Sequence, residues 1–346
     1  MNKKFATMRL LYAFSIAIGI SIAIIFFVSK EPASAIYYLF LGPLQSQRHF
    51  FDVFASSVPI IFTGLAISIV FKSGNFSMIA DAALYTGGVV TAALAISMKL
   101  PAGIHPLVIL LLAGLVGGII GSIPAILKVY FHANELVTSL MLNYVFFYFG
   151  IFVINKYYID RSAGTFASLK YEPTAMLPKL LQGTKLHLGF VLAILFVILL
   201  YLLVYKTKFG YEIRISGSNP QFAKYSGMNT KKIIILTQVI GGAVAGIGGS
   251  VEQMAMYPRF NWQDSPSYAW DGVILAILSG NNPKFVPLAA FFLAYIRVGA
   301  DIMSRRSDVQ NELVAMIQAI LILFITAERF MANWKQKQEA KKALEQ

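Results

Sequence analysis

The chain has 346 residues, 57% of them hydrophobic and only 13% charged, against roughly a quarter charged in an average soluble domain. This excludes a water-soluble globular protein and marks an integral membrane protein. A formal net charge of +13 would point to nucleic acid on a soluble domain. Here the lysines and arginines cluster beside apolar runs, so membrane topology accounts for them and no nucleic-acid partner is expected.

In chain order, Lys3, Lys4 and Arg9 precede an apolar run from Leu10 to Val28, and Ala33-Ser34-Ala35 has the form of a signal-peptidase site. The run is longer than the roughly seven to fifteen residues of a signal core, which favours an uncleaved first span with its N-terminus inside. Ala35 to Leu41 is apolar but too short to cross, and is expected to lie along the outer face. Further spans are predicted at 54–71, 81–98, 106–129, 136–155, 187–205, 233–252, 269–279 (short), 284–300 and 312–328, about ten with the first. The fold class is therefore all-α, a polytopic helical bundle in one domain over 1–330, followed by a basic tail, 331–346. An inside N-terminus puts both this tail and the loop 206–232 in the cytoplasm. The loop holds six basic residues against one acidic, as cytoplasmic segments do. The stretch from Lys156 to His187 falls outside and is also fairly basic, against that rule. Its Pro173 and Pro178 mark an exposed loop available to an external partner.

Gly114, Gly117, Gly118 and Gly121 recur at three- and four-residue spacing in one span. Gly241, Gly242, Gly246, Gly249 and Ser250 do so in another. Small residues at such spacing let helix backbones approach closely inside a bilayer. Ser73-Gly74-Asn75 and Ser279-Gly280-Asn281 each close an apolar segment. They are either matching breaks in two halves of an internal repeat or two ordinary turns.

Polar groups at membrane depth are costly and usually face the bundle interior or a water-filled path. Candidates for a translocation path or its gates are Asn75, Asp81, Asn143, Glu252, Trp270 and Asp271, each of which could equally be an interfacial residue. Glu135 opens its span behind Asn134, a good cap, where a carboxylate suits the helix dipole.

The loop 206–232, KTKFGYEIRISGSNPQFAKYSGMNTKK, is the longest polar break in the second half of the chain. Asn219 can cap a short helix that Pro220 opens and Gly227 closes. Phe222 and Tyr225 would share one face with Ala223 beside them. So short a helix needs something to pack on, either a partner protein or the membrane surface.

No phosphate loop, H-E-x-x-H or G-x-S-x-G nucleophile elbow is present, and the four histidines (His49, His105, His132, His187) are scattered. An enzyme is not expected, no cofactor is expected on this chain, and any ATP-driven motor must be a separate subunit.

The segment Asn134 to Tyr144, NELVTSLMLNY, is similar to the NE-V-x-x-x-x-MLNY segment of permease subunits of bacterial ABC importers. The closest branch works with basic-membrane-protein lipoproteins in nucleoside uptake. Thr207, Gly210, Arg214, Gly217, Asn219, Pro220, Ala223, Tyr225 and Gly227 fit the pattern with which that family engages its ATPase. Gly64-Leu65-Ala66 through Phe71, and Gly74 to Phe76, resemble its GLA…F…G-x-F-N-I-G-x-E-G-Q region. That region departs here to Phe76-Ser77-Met78-Ile79-Ala80-Asp81-Ala82-Ala83, and the usual R-A-V-G of the loop reads Arg214-Ile215-Ser216-Gly217.

The resemblance implies a permease of the bacterial cytoplasmic membrane that pairs with a second, homologous permease chain. It would take nucleosides from an external binding lipoprotein and be driven by a cytoplasmic ATPase that uses ATP and Mg. Phe222 and Tyr225 would enter a cleft of that ATPase, with Lys224 and Arg214 at a polar rim. Two alternatives stand beside this: a sister permease for ribose- or galactose-like sugars, and an ion-coupled secondary transporter using Asp81 or Asp271.

Overall fold

A computed structural model describes residues 29–309 without interruption, together with residues 19, 22, 25–27, 316 and 319. The expected spans at 10–28 and 312–328 therefore lie almost wholly outside the described residues, and the tail at 331–346 wholly so. The described chain is helical: α1 (Pro32–Leu41), α2 (Gln47–Lys72), α3 (Ala80–Ser97), α4 (Ile104–Phe131), α5 (Glu135–Val153), α6 (Gly189–Lys206), α7 (Lys208–Ser218), α8 (Pro220–Tyr225), α9 (Thr230–Met256), α10 (Tyr268–Ser279) and α11 (Val286–Arg306). Among the described residues, extended pairing is limited to two isolated bridges, Ile159 with Ser168 and Lys179 with His187.

Seven of these helices are long and apolar enough to cross a membrane: α2, α3, α4, α5 with the π turn that extends it to Tyr158, α6, α9, and α11 with the turn that precedes it. α10 is not. At 1.5 Å per residue its 12 residues rise about 18 Å, short of a hydrocarbon core about 30 Å thick.

Most expected spans fall within a few residues of a helix. The exception is α2, which starts at Gln47 rather than 54 because the backbone continues its hydrogen bonding through the polar Gln47-Arg48-His49 turn. Only side-chain polarity had marked a boundary there.

Contacts divide the chain into two compact units, 54–290, and 1–53 with 291–346. In the second, Ile25, Ala35, Leu39, Ile296, Ala300, Met303 and Val309 form an apolar core. Asp308 joins its ends, accepting from the Ser29 hydroxyl at 2.6 Å and the Lys30 N–H at 2.6 Å. The small-residue run 33–35 sits inside α1.

The larger unit is organised on α3, α4 and α9, and the glycine spacing read from the sequence is the reason. A Cβ on Gly117 would collide with the carbonyl oxygen of Gly242, and one on Gly121 with that of Gln238. One on Gly249 would collide with that of Leu84. Backbone thus lies on backbone along the α4–α9 seam, with α3 on α9 beside it, and Thr91 and Ser250 exchange a hydroxyl hydrogen bond inside the α3–α9 contact.

The two Ser-Gly-Asn triplets end α2 and α10 in the same way. Gly74 and Gly280 are left-handed, with φ of 79° and 65°. The N–H of Asn75 reaches Val70 O at 3.3 Å, and that of Asn281 reaches Ala276 O at 2.8 Å. This is the helix-ending motif that a left-handed residue makes locally, so the cap itself accounts for the repeated residues.

The segment 159–188 is pinned rather than slack. Its backbone N–H groups at Ser168, Tyr171, Glu172 and Leu177 bond to Phe260, Pro258, Ala95 and Met254 carbonyls, across the ends of α3 and α9. Hydrogen bonds from the Ser162 hydroxyl and N–H, joined by Arg259, hold the Asp160 carboxyl below the usual carboxylate range.

Candidate functional site

Between α2 and α3 the chain is non-helical over residues 75–78, in a stretch where Asn75, Ser77 and Met78 are buried. Irregular backbone at membrane depth has to find partners inside the protein. α5 supplies them from positions spaced four apart, hence on one face. Asn134 caps α5 by accepting from Leu136 and Val137 N–H, which sets the phase of that face. Ser139 Oγ then accepts from Met78 N–H at 3.0 Å. Asn143 donates through Nδ2 to Met78 O at 3.1 Å and accepts at Oδ1 from Ala82 N–H at 3.2 Å. The N–H of Ala82 is among those that the start of a helix leaves unpaired. The next residue on this face, Phe147, packs on Tyr85 of α3 with ring centroids 5.0 Å apart.

A cavity of about 380 Å³ opens at the start of α3, lined by Asp81, Leu140, Asn143, Tyr144, Phe147, Tyr148, Asp264, Ser265, Ser267 and Trp270. This is within the range of small-molecule sites. The loop 257–267 closes one side. Its Trp262 carbonyl accepts from the Tyr85 hydroxyl at 3.4 Å, and Phe260 and Trp262 stack around Tyr85. That seating brings the Ser265 hydroxyl to Asp81 Oδ2 at 2.9 Å. Among the described residues the lining is aromatic with two carboxylates, an amide, two serine and two tyrosine hydroxyls, and no cation.

Of the six path candidates, the structure brings Asp81, Asn143 and Trp270 together on this cavity. Asn75 instead opens the break, where its Oδ1 accepts from Lys128 Nζ at 2.6 Å. Glu252 and Asp271 are each only 4% exposed and stand apart from the cavity lining. Tyr144, Tyr148, Asp264, Ser265 and Ser267 were not singled out from sequence. The only available signal was Tyr144 and Tyr148 standing one and five residues after Asn143, on the same side of α5.

The second feature is the polar break after α6. Asn219 accepts from Phe222 N–H at 2.9 Å and caps α8, Pro220 opens it, and Gly227 closes it at φ 78°, as the residue types predict. Phe222 is 54% exposed and Tyr225 89%. Ala223, expected beside them, is instead fully buried, because consecutive helical residues are turned by about 100°. Arg214, expected at the rim, is partly buried. It sits on α7, an 11-residue helix that the charge pattern hid. Its guanidinium donates to the Val204 carbonyl and lies 5.2 Å from the Tyr205 ring centroid. Carbonyls at a helix C-terminus lack partners and draw a cation. Gly217 rests directly on the Lys72 carbonyl and on Gly74.

The family model described as the branched-chain amino acid transport system / permease component matches residues 49–326. The chain belongs to this permease family. Relatives include the guanosine ABC transporter permease protein NupP of Bacillus subtilis, 30% identical with 78% of each chain covered. The nucleoside ABC transporter permease protein NupB of Lactococcus lactis is 27% identical, over 89% of this chain and 87% of its own. The glucose ABC transporter permease protein TsgB13 of Haloferax volcanii is 28% identical, over 89% and 84%.

Proposed function

We propose that this permease is the membrane subunit of an ATP-driven importer that passes nucleosides inward by alternating access. The observation that carries the substrate class is the cavity lining. The faces of Tyr144, Phe147, Tyr148 and Trp270 suit a planar base. Asp81, Asp264 and Asn143 suit the hydroxyls of a ribose, while the two carboxylates disfavour an anionic cargo such as a nucleotide or a free amino acid carboxylate. The guanosine and nucleoside permeases among the relatives support the same reading. The glucose permease relative favours a simple sugar as the second reading, with the same hydroxyl-binding groups in use.

The remaining parts follow from the family. Residues 1–330 act as a single permease domain that pairs with a second, homologous permease chain in the bacterial cytoplasmic membrane. A binding lipoprotein delivers cargo outside, against the pinned 159–188 segment. A cytoplasmic ATPase, using ATP and Mg that this chain does not bind, seats Phe222 and Tyr225. The translocated molecule passes Asp81, Asn143 and Trp270, with Asn75, Glu252 and Asp271 at or near the gates. Ten crossings and two cytoplasmic termini result if 10–28, 312–328 and the short α10 cross as well, with the basic tail 331–346 inside.

Asp81→Asn tests the site. Removing the charge from an acceptor that a ribose hydroxyl would use should lower guanosine uptake by the assembled importer about tenfold, the worth of about 1.4 kcal/mol. Unchanged uptake at equal protein level would remove the cavity from the path.

A further inference from the structure

A largely buried polar cluster gathers residues that are not part of the cavity lining. Glu135, 6% exposed, forms an ion pair with Lys128 through Oε2 and accepts from Gln238 Nε2 at 2.5 Å through Oε1. The same Lys128 ammonium donates to Asn75 Oδ1 at 2.6 Å. Four elements end or begin at this point: the break after α2, the last turn of α4, the first turn of α5 and the first third of α9.

Resting on the importer reading above, we propose that Lys128 and Glu135 are the positioning pair that links the docking helices α7 and α8 to the cavity. Two routes from those helices converge on the pair. Along the first, Gly217 of α7 presses on the Lys72 carbonyl and Gly74. A Cβ at Gly74 would stand only 3.1 Å from Gly217 Cα, so α7 cannot advance without carrying the break with it. Asn75, the next residue, is what Lys128 holds. Along the second, Met228 N–H bonds to Ala223 O at 3.0 Å and Asn229 caps α9 through Lys232 N–H. α8 therefore continues almost rigidly into α9, and two turns on, Gln238 holds Glu135.

Above the pair, the face of α5 that begins at Glu135 continues through Ser139 to Asn143, which grip Met78 and Ala82 at the cavity wall. A displacement at α8 reaches the cavity as a rigid-body motion only while the pair ties the break, α5 and α9 together. An ordinary staple of the α4–α5 hairpin would need only Lys128 and Glu135. Engagement of Asn75 from the α2–α3 break and of Gln238 from α9 is what makes the pair a junction. Removing Lys128 leaves the buried Glu135 carboxylate unpaired, so the test reads coupling rather than yield alone.

The complete importer, with ATPase, second permease chain and binding protein, is reconstituted in liposomes. Guanosine transported per ATP hydrolysed is then measured for wild type, Lys128→Met, Lys128→Arg and Glu135→Gln. The expected result is a fall of about tenfold in this ratio for Lys128→Met and Glu135→Gln, within the usual span of coupling between two sites. Lys128→Arg, which keeps the charge, should restore most of it. A role confined to folding would lower uptake and ATP hydrolysis together, leaving the ratio unchanged, and that result would overturn the proposal. So would failure of all three variants to assemble. Wild-type liposomes that transport without ATP would instead overturn the importer reading on which the proposal rests.

Discussion

Gly117→Ile should leave almost no folded protein in the membrane. At this point the α4–α9 seam has no side chain to move aside. A Cβ at residue 117 meets the Gly242 carbonyl, and on either side Gly121 lies on Gln238 and Gly246 on Ala113 backbone, so the helices would have to separate along several turns. One surplus methylene in a packed interior costs about 1–3 kcal/mol. Isoleucine adds four carbons at a backbone–backbone contact, and the cost is a large part of the about 5–15 kcal/mol of a typical domain. Leu115→Ile is the control on the same helix. Leu115 is 58% exposed, and its replacement should change stability by no more than about 0.5 kcal/mol. Yield and thermal melting of the detergent-extracted full chain measure both. A Gly117→Ile protein that accumulates and melts like wild type would mean that the seam is looser than its geometry.

Phe222→Ala combined with Tyr225→Ala should abolish ATP-dependent uptake while leaving the permease folded. Both rings project from a two-turn helix and are mostly exposed, so their truncation removes little of the protein's own packing. At an interface, losing an aromatic anchor costs about 2 kcal/mol or more, and two together weaken ATPase binding about a hundredfold or more. The neighbouring Ala223→Leu should behave differently. Ala223 is fully buried, so a larger side chain would dislodge α8 and cost stability in the permease alone. Pull-down of the ATPase by each variant, alongside its melting temperature, separates the two effects.

Much of this architecture was legible in the residues. Apolar runs bounded by glycine, proline and charge located α3, α4, α6, α9 and α10 to within about four residues, since an uninterrupted apolar run satisfies its own backbone in lipid by forming a helix. The glycine spacing of two spans marked each for close backbone approach, but that the two meet each other along the α4–α9 seam is seen only in the packing. Asn219, Pro220 and Gly227 defined α8 through local rules alone.

What escaped the sequence was tertiary in origin. α7 carries Lys208, Glu212 and Arg214 among polar neighbours and reads as loop until Gly217 is seen seated on Lys72. Arg214 reads as a surface cation until the free carbonyls at the end of α6 are beside it. Asn75 and Glu135 were noticed singly, but their partners stand 53 and 103 residues away, at Lys128 and Gln238. Ser265 reaches Asp81, and Asp264 the same cavity, only because Trp262 anchors their loop on Tyr85, a contact no local periodicity encodes.

The most direct test of the central claim is uptake of radiolabelled guanosine by cells expressing this chain with its partner subunits, with and without the ATPase, and with unlabelled ribose as competitor. The account predicts uptake that requires the ATPase and that ribose does not reduce. Uptake that persists without the ATPase and collapses with the ion gradient would contradict it, and would make the exposed aromatics of α8 something other than a docking face.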